Sequence, residues 1–196
     1  DNKVDTDSLS RLVEHQIANG IDYLVVLGTT AESVTLSTDE KKLVIKTVVD
    51  ANKKRLPLVL GMTSNNTADL VNQIKTIDLK NFDAILSACP FYNKPSQEGI
   101  FQHFDQLAKN TDLPIILYNV PGRTAKNIEP ETVKRLADEH NHIIGIKEAA
   151  GDLEQAMELI TSNREDFLVI SGEDAITLPV LLMGGSGVIS VIAQAL

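Results

Sequence analysis

A chain of 196 residues with 27 acidic and 18 basic side chains carries a formal charge of −9; the length favours one domain and can bury a sizeable core. A content of 43% hydrophobic and 23% charged residues excludes a disordered or fibrous chain, and the acid surplus repels phosphate backbones and anionic lipid, so neither nucleic acid nor a membrane surface is an expected partner. With 4% aromatics and no Trp there is little to stack on bases, and a single Cys cannot close an internal disulfide, which fits a reducing, cytoplasmic setting.

The opening residues, Asp1-Asn2-Lys3-Val4-Asp5, are polar and show no signal-peptide pattern. Leu9, Leu12, Val13, Gln16 and Ile17 repeat at helical spacing and stop at Asn19-Gly20, a C-cap signal. The apolar run Ile21 to Gly28 follows, then Ser37-x-x-Glu40, a capping-box pattern opening a helix with Leu43, Val44, Thr47 and Val48 on one face. Further apolar runs come at Leu56 to Gly61, Asp83 to Cys89, Leu113 to Tyr118, His142 to Lys147, Asp166 to Ser171 and Ser186 to Val191. Between them helices are expected at Asn65 to Ile77, Ser96 to Lys109, Glu129 to Glu139, Asp152 to Ile160 and Asp174 to Met183. The uncharged stretch Ala175 to Leu196 is long enough to suggest a membrane span, but Pro179 and Gly184-Gly185-Ser186-Gly187 split it below the ~20 residues a span needs.

The seven apolar runs are nearly continuous rather than alternating, as strands read when a parallel sheet is covered on both faces. Regular strand–helix alternation without a Ser/Pro-rich linker predicts one α/β domain over 1–196. A doubly wound sheet and a (β/α)8 TIM barrel both fit. Polar and special residues follow many strands (Gly28-Thr29-Thr30, Tyr92, Tyr118, Lys147, Gly172), which favours the barrel and its ring of strand-end residues. A doubly wound site gathers at one switch point, and neither G-x-G-x-x-G nor a P-loop occurs. Seven strands, beginning on a helix, predict a barrel lacking its first strand and its C-terminal helices, incomplete at both ends.

Lys147 closes the strand Ile143-Ile144-Gly145-Ile146-Lys147. Burial there disfavours its ammonium form, and a neutral amine is the nucleophile that forms a Schiff base with a keto acid; the plainer reading is a lysine snorkelling at a barrel rim. Glu148, one position on, points away if the strand continues. Tyr118 ends the preceding strand, where a phenol either relays protons or packs as a core aromatic. Gly28-Thr29-Thr30 is either a carboxylate cradle or a polar turn. Arg123, in Pro121-Gly122-Arg123-Thr124, can fork onto a carboxylate or serve only as a surface charge. Tyr92, in Pro90-Phe91-Tyr92-Asn93-Lys94-Pro95-Ser96, belongs to a site or an interface element. His15, His103, His140 and His142 show no paired spacing with carboxylates, so no metal site is expected. Cys89 reads as packed rather than nucleophilic.

Taken together, Gly28-Thr29-Thr30-Ala31-Glu32-Ser33, Pro90 to Ser96, Tyr118-Asn119-Val120-Pro121-Gly122-Arg123-Thr124, Ile144-Gly145-Ile146-Lys147-Glu148, Ser171-Gly172-Glu173-Asp174 and Gly187-Val188-Ile189-Ser190-Val191 resemble the pyruvate-dependent class I aldolase family over nearly the whole chain. The resemblance implies condensation of pyruvate with L-aspartate 4-semialdehyde, a step of lysine and diaminopimelate biosynthesis. Lys147 is then the Schiff-base lysine and Tyr118 the proton relay, with Thr30 linking it to Tyr92. Tyr92 reaches into a neighbouring subunit's site, so a homodimer or homotetramer is implied. Thr29 and Thr30 hold the pyruvate carboxylate, Arg123 receives that of the aldehyde, and Gly172 and Ile189 line the pocket. No cofactor is implied, because the imine is itself the electron sink.

Ala31 stands where the family usually has Gly, and Gly122 where it usually has Ser. Phe91, Thr38 and Lys41 differ from lysine-sensitive members, whereas Ser33 and Asn65 match them; feedback inhibition by lysine is not expected. A sister lyase such as N-acetylneuraminate lyase shares the lysine and tyrosine, but a basic fork at Arg123 suits a small dicarboxylic partner better than a polyol. From another class, an inactive remnant binding pyruvate or lysine is countered by the filled catalytic positions.

Overall fold

The structure, a computed structural model, describes residues 3–195. Seven parallel strands lie side by side in chain order: β1 (Leu24–Val26), β2 (Leu58–Gly61), β3 (Ala84–Ala88), β4 (Ile115–Asn119), β5 (Ile143–Glu148), β6 (Leu168–Ser171) and β7 (Gly187–Val188). Eight helices accompany them: α1 (Thr6–Ala18), α2 (Thr38–Asn52), α3 (Thr67–Thr76), α4 (Gln97–Ala108), α5 (Pro121–Thr124), α6 (Pro130–Glu139), α7 (Leu153–Ser162) and α8 (Thr177–Leu182). Strand order never reverses, so there is no switch point of the doubly wound kind; this is barrel winding, with β1 and β7 outermost.

The helix starts follow from their caps. Ser37 and Glu40 form the expected capping box, while Asn66, Ser96 and Asp152 each accept from a first-turn amide, contributing about 1 kcal/mol apiece. α6 starts on Pro130, which has no amide to lose there. α5, a single turn, likewise begins on a proline, Pro121. The run Ile21 to Gly28 yields a strand of only three residues, because Leu27 takes a left-handed φ of 57°. The expected helix from Asp174 divides into a 3-10 turn, Asp174–Ile176, and α8. No helix among the described residues is long and apolar enough to cross a membrane. Asp1, Asn2 and Leu196, the ends of the polar and uncharged runs noted above, lie outside the described residues.

Two apolar clusters sit on opposite faces of the sheet. The larger joins strands to helices through Leu60, Ile85, Phe104, Leu117, Leu136, Ile146 and Leu159. The smaller lies on the inner face and includes Val59, Leu86, Ile116, Tyr118 and Ile170. A bulge between β4 and β5 decides which β5 residues look inward. Ile115 pairs with Ile143, but Ile116 pairs with Gly145, so Ile144 is the extra residue. Without it the alternation would place Lys147 on the helix side; with it, Lys147 stands opposite Tyr118 on the inner face.

His103, on α4, is 2% exposed and its Nδ1 meets Thr67 Oγ1 at 2.8 Å, while Nε2 is buried without a partner. Burial pushes its pKa down to about 4 from 6.5. The unfolded chain therefore binds the extra proton between these values, and stability falls as pH drops from about 6.5 towards 4. The loss reaches about 3 kcal/mol. Urea midpoints at pH 7 and pH 5 should separate more for the natural chain than for His103→Gln; equal separations would refute this.

Candidate active site

The C-terminal end of the inner face is built by β4, β5 and the turns after β6 and β7. Lys147 is 7% exposed and its Nζ lies 4.4 Å from the centre of the Tyr118 ring, itself 7% exposed. The register places the two directly opposite one another. Burial is the main force on the amine and holds its pKa at about 8 instead of 10.5, with the Asp174 charge pulling it up and Arg123 pushing it down. A pKa of about 8 leaves roughly one amine in ten neutral at pH 7. A buried, partly neutral amine beside a phenol can attack a carbonyl and find a proton donor and acceptor for the intermediates.

Gly172 follows β6 and lies against the Lys147 stem. A Cβ there would stand 2.8 Å from Lys147 Cε and from Ala149 Cβ, and 3.0 Å from Lys147 Cγ. The lysine stem can yield but Ala149 Cβ is fixed to its backbone, so Gly172→Ala should displace the amine and shift the turn after β6 against the one after β5. Covalent capture of pyruvate by this variant is expected to slow by roughly 10- to 10²-fold, the cost of misplacing a reacting group; an unchanged capture rate by mass spectrometry would contradict this packing.

Ile189, after β7, is half-buried against the inner cluster, and its N–H donates to Ser171 O at 2.9 Å. Thr29 and Thr30 open a 3-10 turn, Thr29–Ala31, after β1 and are exposed; Thr30 Oγ1 accepts from Gln194 Nε2 at 3.5 Å. Arg123 is exposed on α5, close enough for its charge to act on Lys147. These residues share the rim with Lys147 and Tyr118. Tyr92 does not join them within the chain: it is 88% exposed on a loop, with a left-handed φ of 71°.

Two further features escaped the sequence reading. Asp174 accepts from Ser190 Oγ at 2.5 Å and from the N–H groups of Val191 and Ile192 at 3.1 and 3.4 Å. Burial works to raise its pKa, but these bonds keep it below the ordinary carboxylate range, so it stays an anion near the amine. Glu148 faces the helices, as strand alternation requires. Away from the rim, the fold pairs His140 Nε2 with Asp105 Oδ1 at 3.0 Å across a separation of 35 residues, a pairing that spacing along the chain does not show. Asp105, Glu139 and His140 form a group of potential metal ligands, but Lys109 holds the other Asp105 oxygen at 2.8 Å and Arg135 holds Glu139. Cys89 is buried, its thiol pushed up to about 11, and is packed as expected.

The model of the Dihydrodipicolinate synthetase family matches residues 1–196. The chain is 62% identical over 194 residues to the 4-hydroxy-tetrahydrodipicolinate synthase of Flavobacterium psychrophilum, covering 99% of this chain and 66% of that protein. It therefore spans just under two thirds of that relative's length. The solved 4-hydroxy-tetrahydrodipicolinate synthase of Methylacidiphilum fumariolicum SolV superposes with a TM-score of 0.94 at 42% identity, over 98% of this chain and 64% of that one. A dihydrodipicolinate synthase from Acinetobacter baumannii, solved in complex with pyruvate, superposes with a TM-score of 0.93 at 41% identity, over 97% and 65%. These neighbours place the curled seven-stranded sheet within a TIM-barrel fold.

Proposed function

The chain belongs to the dihydrodipicolinate synthetase family, and from that membership we propose that it carries the Schiff-base machinery of 4-hydroxy-tetrahydrodipicolinate synthesis, condensing pyruvate with L-aspartate 4-semialdehyde in lysine and diaminopimelate biosynthesis. One observation carries the reading: a lysine amine buried on the inner face, 4.4 Å from a tyrosine ring, with its pKa held at about 8.

The neutral Lys147 amine attacks the pyruvate ketone, and loss of water gives an imine. Tyr118 passes protons between the carbinolamine and its surroundings. The imine loses a C3 proton to become an enamine, whose carbon attacks the aldehyde of the second substrate. The amine of that substrate then displaces Lys147, closing the ring and freeing the lysine. Thr29 and Thr30 bind the pyruvate carboxylate, Arg123 takes the carboxylate of the aldehyde, and Gly172 and Ile189 line the pocket. The imine supplies the electron sink, so no cofactor enters the scheme. Tyr92 extends from its loop towards the site of a second copy of the chain, with Thr30 linking it to Tyr118, in a cytoplasmic homodimer or homotetramer.

Incubation with pyruvate and borohydride should add one reduced pyruvate to Lys147, read by mass. The trapping rate should rise with pH with a midpoint near 8, because only the neutral amine attacks. Addition of aspartate semialdehyde should then consume pyruvate. Release of pyruvate from sialic acid, without that condensation, would instead assign the sister lyase chemistry, and an unlabelled Lys147 would sink both.

A further inference from the structure

Directly behind Lys147 and Tyr118, on the helix face of the sheet, lies a buried polar cluster that the chemistry above does not use. Asn119 and Glu148 each follow one member of the pair and oppose one another at the last ladder position of β4 and β5. Glu148 is 3% exposed and Asn119 is fully buried. The Glu148 carboxylate accepts from Asn119 Nδ2 at 3.1 and 3.0 Å, from Ala150 N at 2.7 Å and from Gln155 Nε2 at 2.9 Å. Burial works to raise its pKa, and these donors hold the rise back.

The amide orientations in this cluster are fixed by one unambiguous donor. The N–H of Ile128 donates to Asn119 Oδ1 at 3.0 Å, so Asn119 Nδ2 must face Glu148 and Asn127 Oδ1, the latter at 2.7 Å. Asn127 Nδ2 then donates to Gln155 Oε1 at 2.7 Å, which turns Gln155 Nε2 towards Glu148. Every group that meets the carboxylate is thus a donor, and a carboxyl proton would find no acceptor. The cluster is wired for an anion. It also joins β4, β5, α7 and the segment before α6, and Gln97 of α4 extends it by donating to Asn127 O at 2.9 Å.

We propose that Glu148 is a positioning residue: its buried carboxylate, gripped by Asn119, Gln155 and the Ala150 amide, with Asn127 tying Asn119 to Gln155, clamps the ends of β4 and β5 so that Lys147 presents its amine to Tyr118. Beyond this point the two strands diverge into α5 and the loop to α7, and on the inner side Gly172 has no side chain with which to brace the lysine stem. The clip on the outer face supplies that constraint. The proposal rests on the reading of Lys147 as the imine-forming residue, and its test separates the two.

In Glu148→Gln the new amide group confronts Gln155 Nε2. Turning Gln155 moves the clash to Asn127, and turning Asn127 moves it to Asn119, which Ile128 N–H forbids; no reorientation removes it. In the double variant Glu148→Gln with Gln155→Glu, the carboxylate now at position 155 accepts from the amide now at position 148 and from that of Asn127, which removes the clash with position 155 but leaves a carboxylate oxygen facing Asn127 Oδ1, where Gln155 Nε2 donates at 3.1 Å in the natural chain. Well below the lowest melting temperature of the three proteins, Glu148→Gln should capture pyruvate under borohydride roughly 10- to 10²-fold more slowly at saturation, with little change in the half-saturating concentration. The double variant should recover part of that loss and capture pyruvate at least roughly threefold faster than the single one. A single variant that captures pyruvate at the natural rate overturns the proposal, as does a double variant as slow as the single one. If the natural chain itself captures none, the reading of Lys147 fails, and a second measurement decides the positioning role. Reductive methylation with 13C-formaldehyde should give one narrow Lys147 resonance in the natural chain, a broadened or split one in Glu148→Gln, and a narrower one in the double variant than in the single. Three identical signals would overturn the proposal.

Discussion

Lys147→Met yields a folded chain that takes up no pyruvate under borohydride, and that chain is more stable than the natural one at pH 7. Loss of the adduct is complete because the nitrogen that forms the bond is gone. The gain in stability follows from the same burial that activates the amine. The folded-state pKa of Lys147 is about 8 against 10.5 for a free lysine, so below pH 8 the folded protein holds an ammonium in a place that disfavours it. The unfolded chain binds more protons between pH 8 and 10.5, and stability therefore rises with pH across that window. At pH 7 the whole cost is present, up to about 3 kcal/mol. Methionine keeps the length and flexibility of the stem without the charge. The melting-temperature advantage of Lys147→Met should be largest at pH 7 and shrink as pH approaches 10.5. A variant less stable than the natural chain at both pH values would show that the amine is not desolvated as its setting implies.

The stability held back at Lys147 also explains how much the sequence could disclose. A lysine ending an otherwise apolar strand conflicts with local preference, and such conflicts stand out without coordinates. The same holds for Tyr118, one strand earlier, and for the seven apolar runs, whose composition reflects burial on both faces. The phase of β5 was not legible. Counting alternation from Ile143 would send Lys147 outwards, and only the bulge at Ile144 turns it in. That bulge depends on the register with β4, a tertiary quantity with no local signature. The cage around Glu148 was hidden for a related reason, since Asn119, Asn127 and Gln155 have ordinary places in their own segments and meet only when β4, β5 and α7 are assembled. His140 and Asp105 likewise belong to different helix-end regions until α4 and α6 pack together.

Tyr118→Phe isolates the hydroxyl from the ring. The ring packs in the inner cluster and lies 4.4 Å from Nζ, and phenylalanine retains both relations. Any favourable contact between the ammonium and the aromatic face is therefore kept, and the pH midpoint of capture should stay near 8. What disappears is the group that moves protons, so each step needing a transfer loses its positioned partner. Removing such a group costs about 10²- to 10⁴-fold, or about 3–5 kcal/mol of barrier. The step to watch is exchange of the C3 protons of pyruvate for deuterium in heavy water, which reports enamine formation without requiring the second substrate and can be followed by proton NMR. Exchange in Tyr118→Phe should fall by that factor while Tyr92→Phe, altered at a residue outside the chain's own rim, is compared in parallel. A rate unchanged in Tyr118→Phe would move the proton relay to another group and leave Tyr118 as a packing residue, and a shifted pH midpoint with unchanged exchange would mean that the phenol acts on the charge of Lys147 instead.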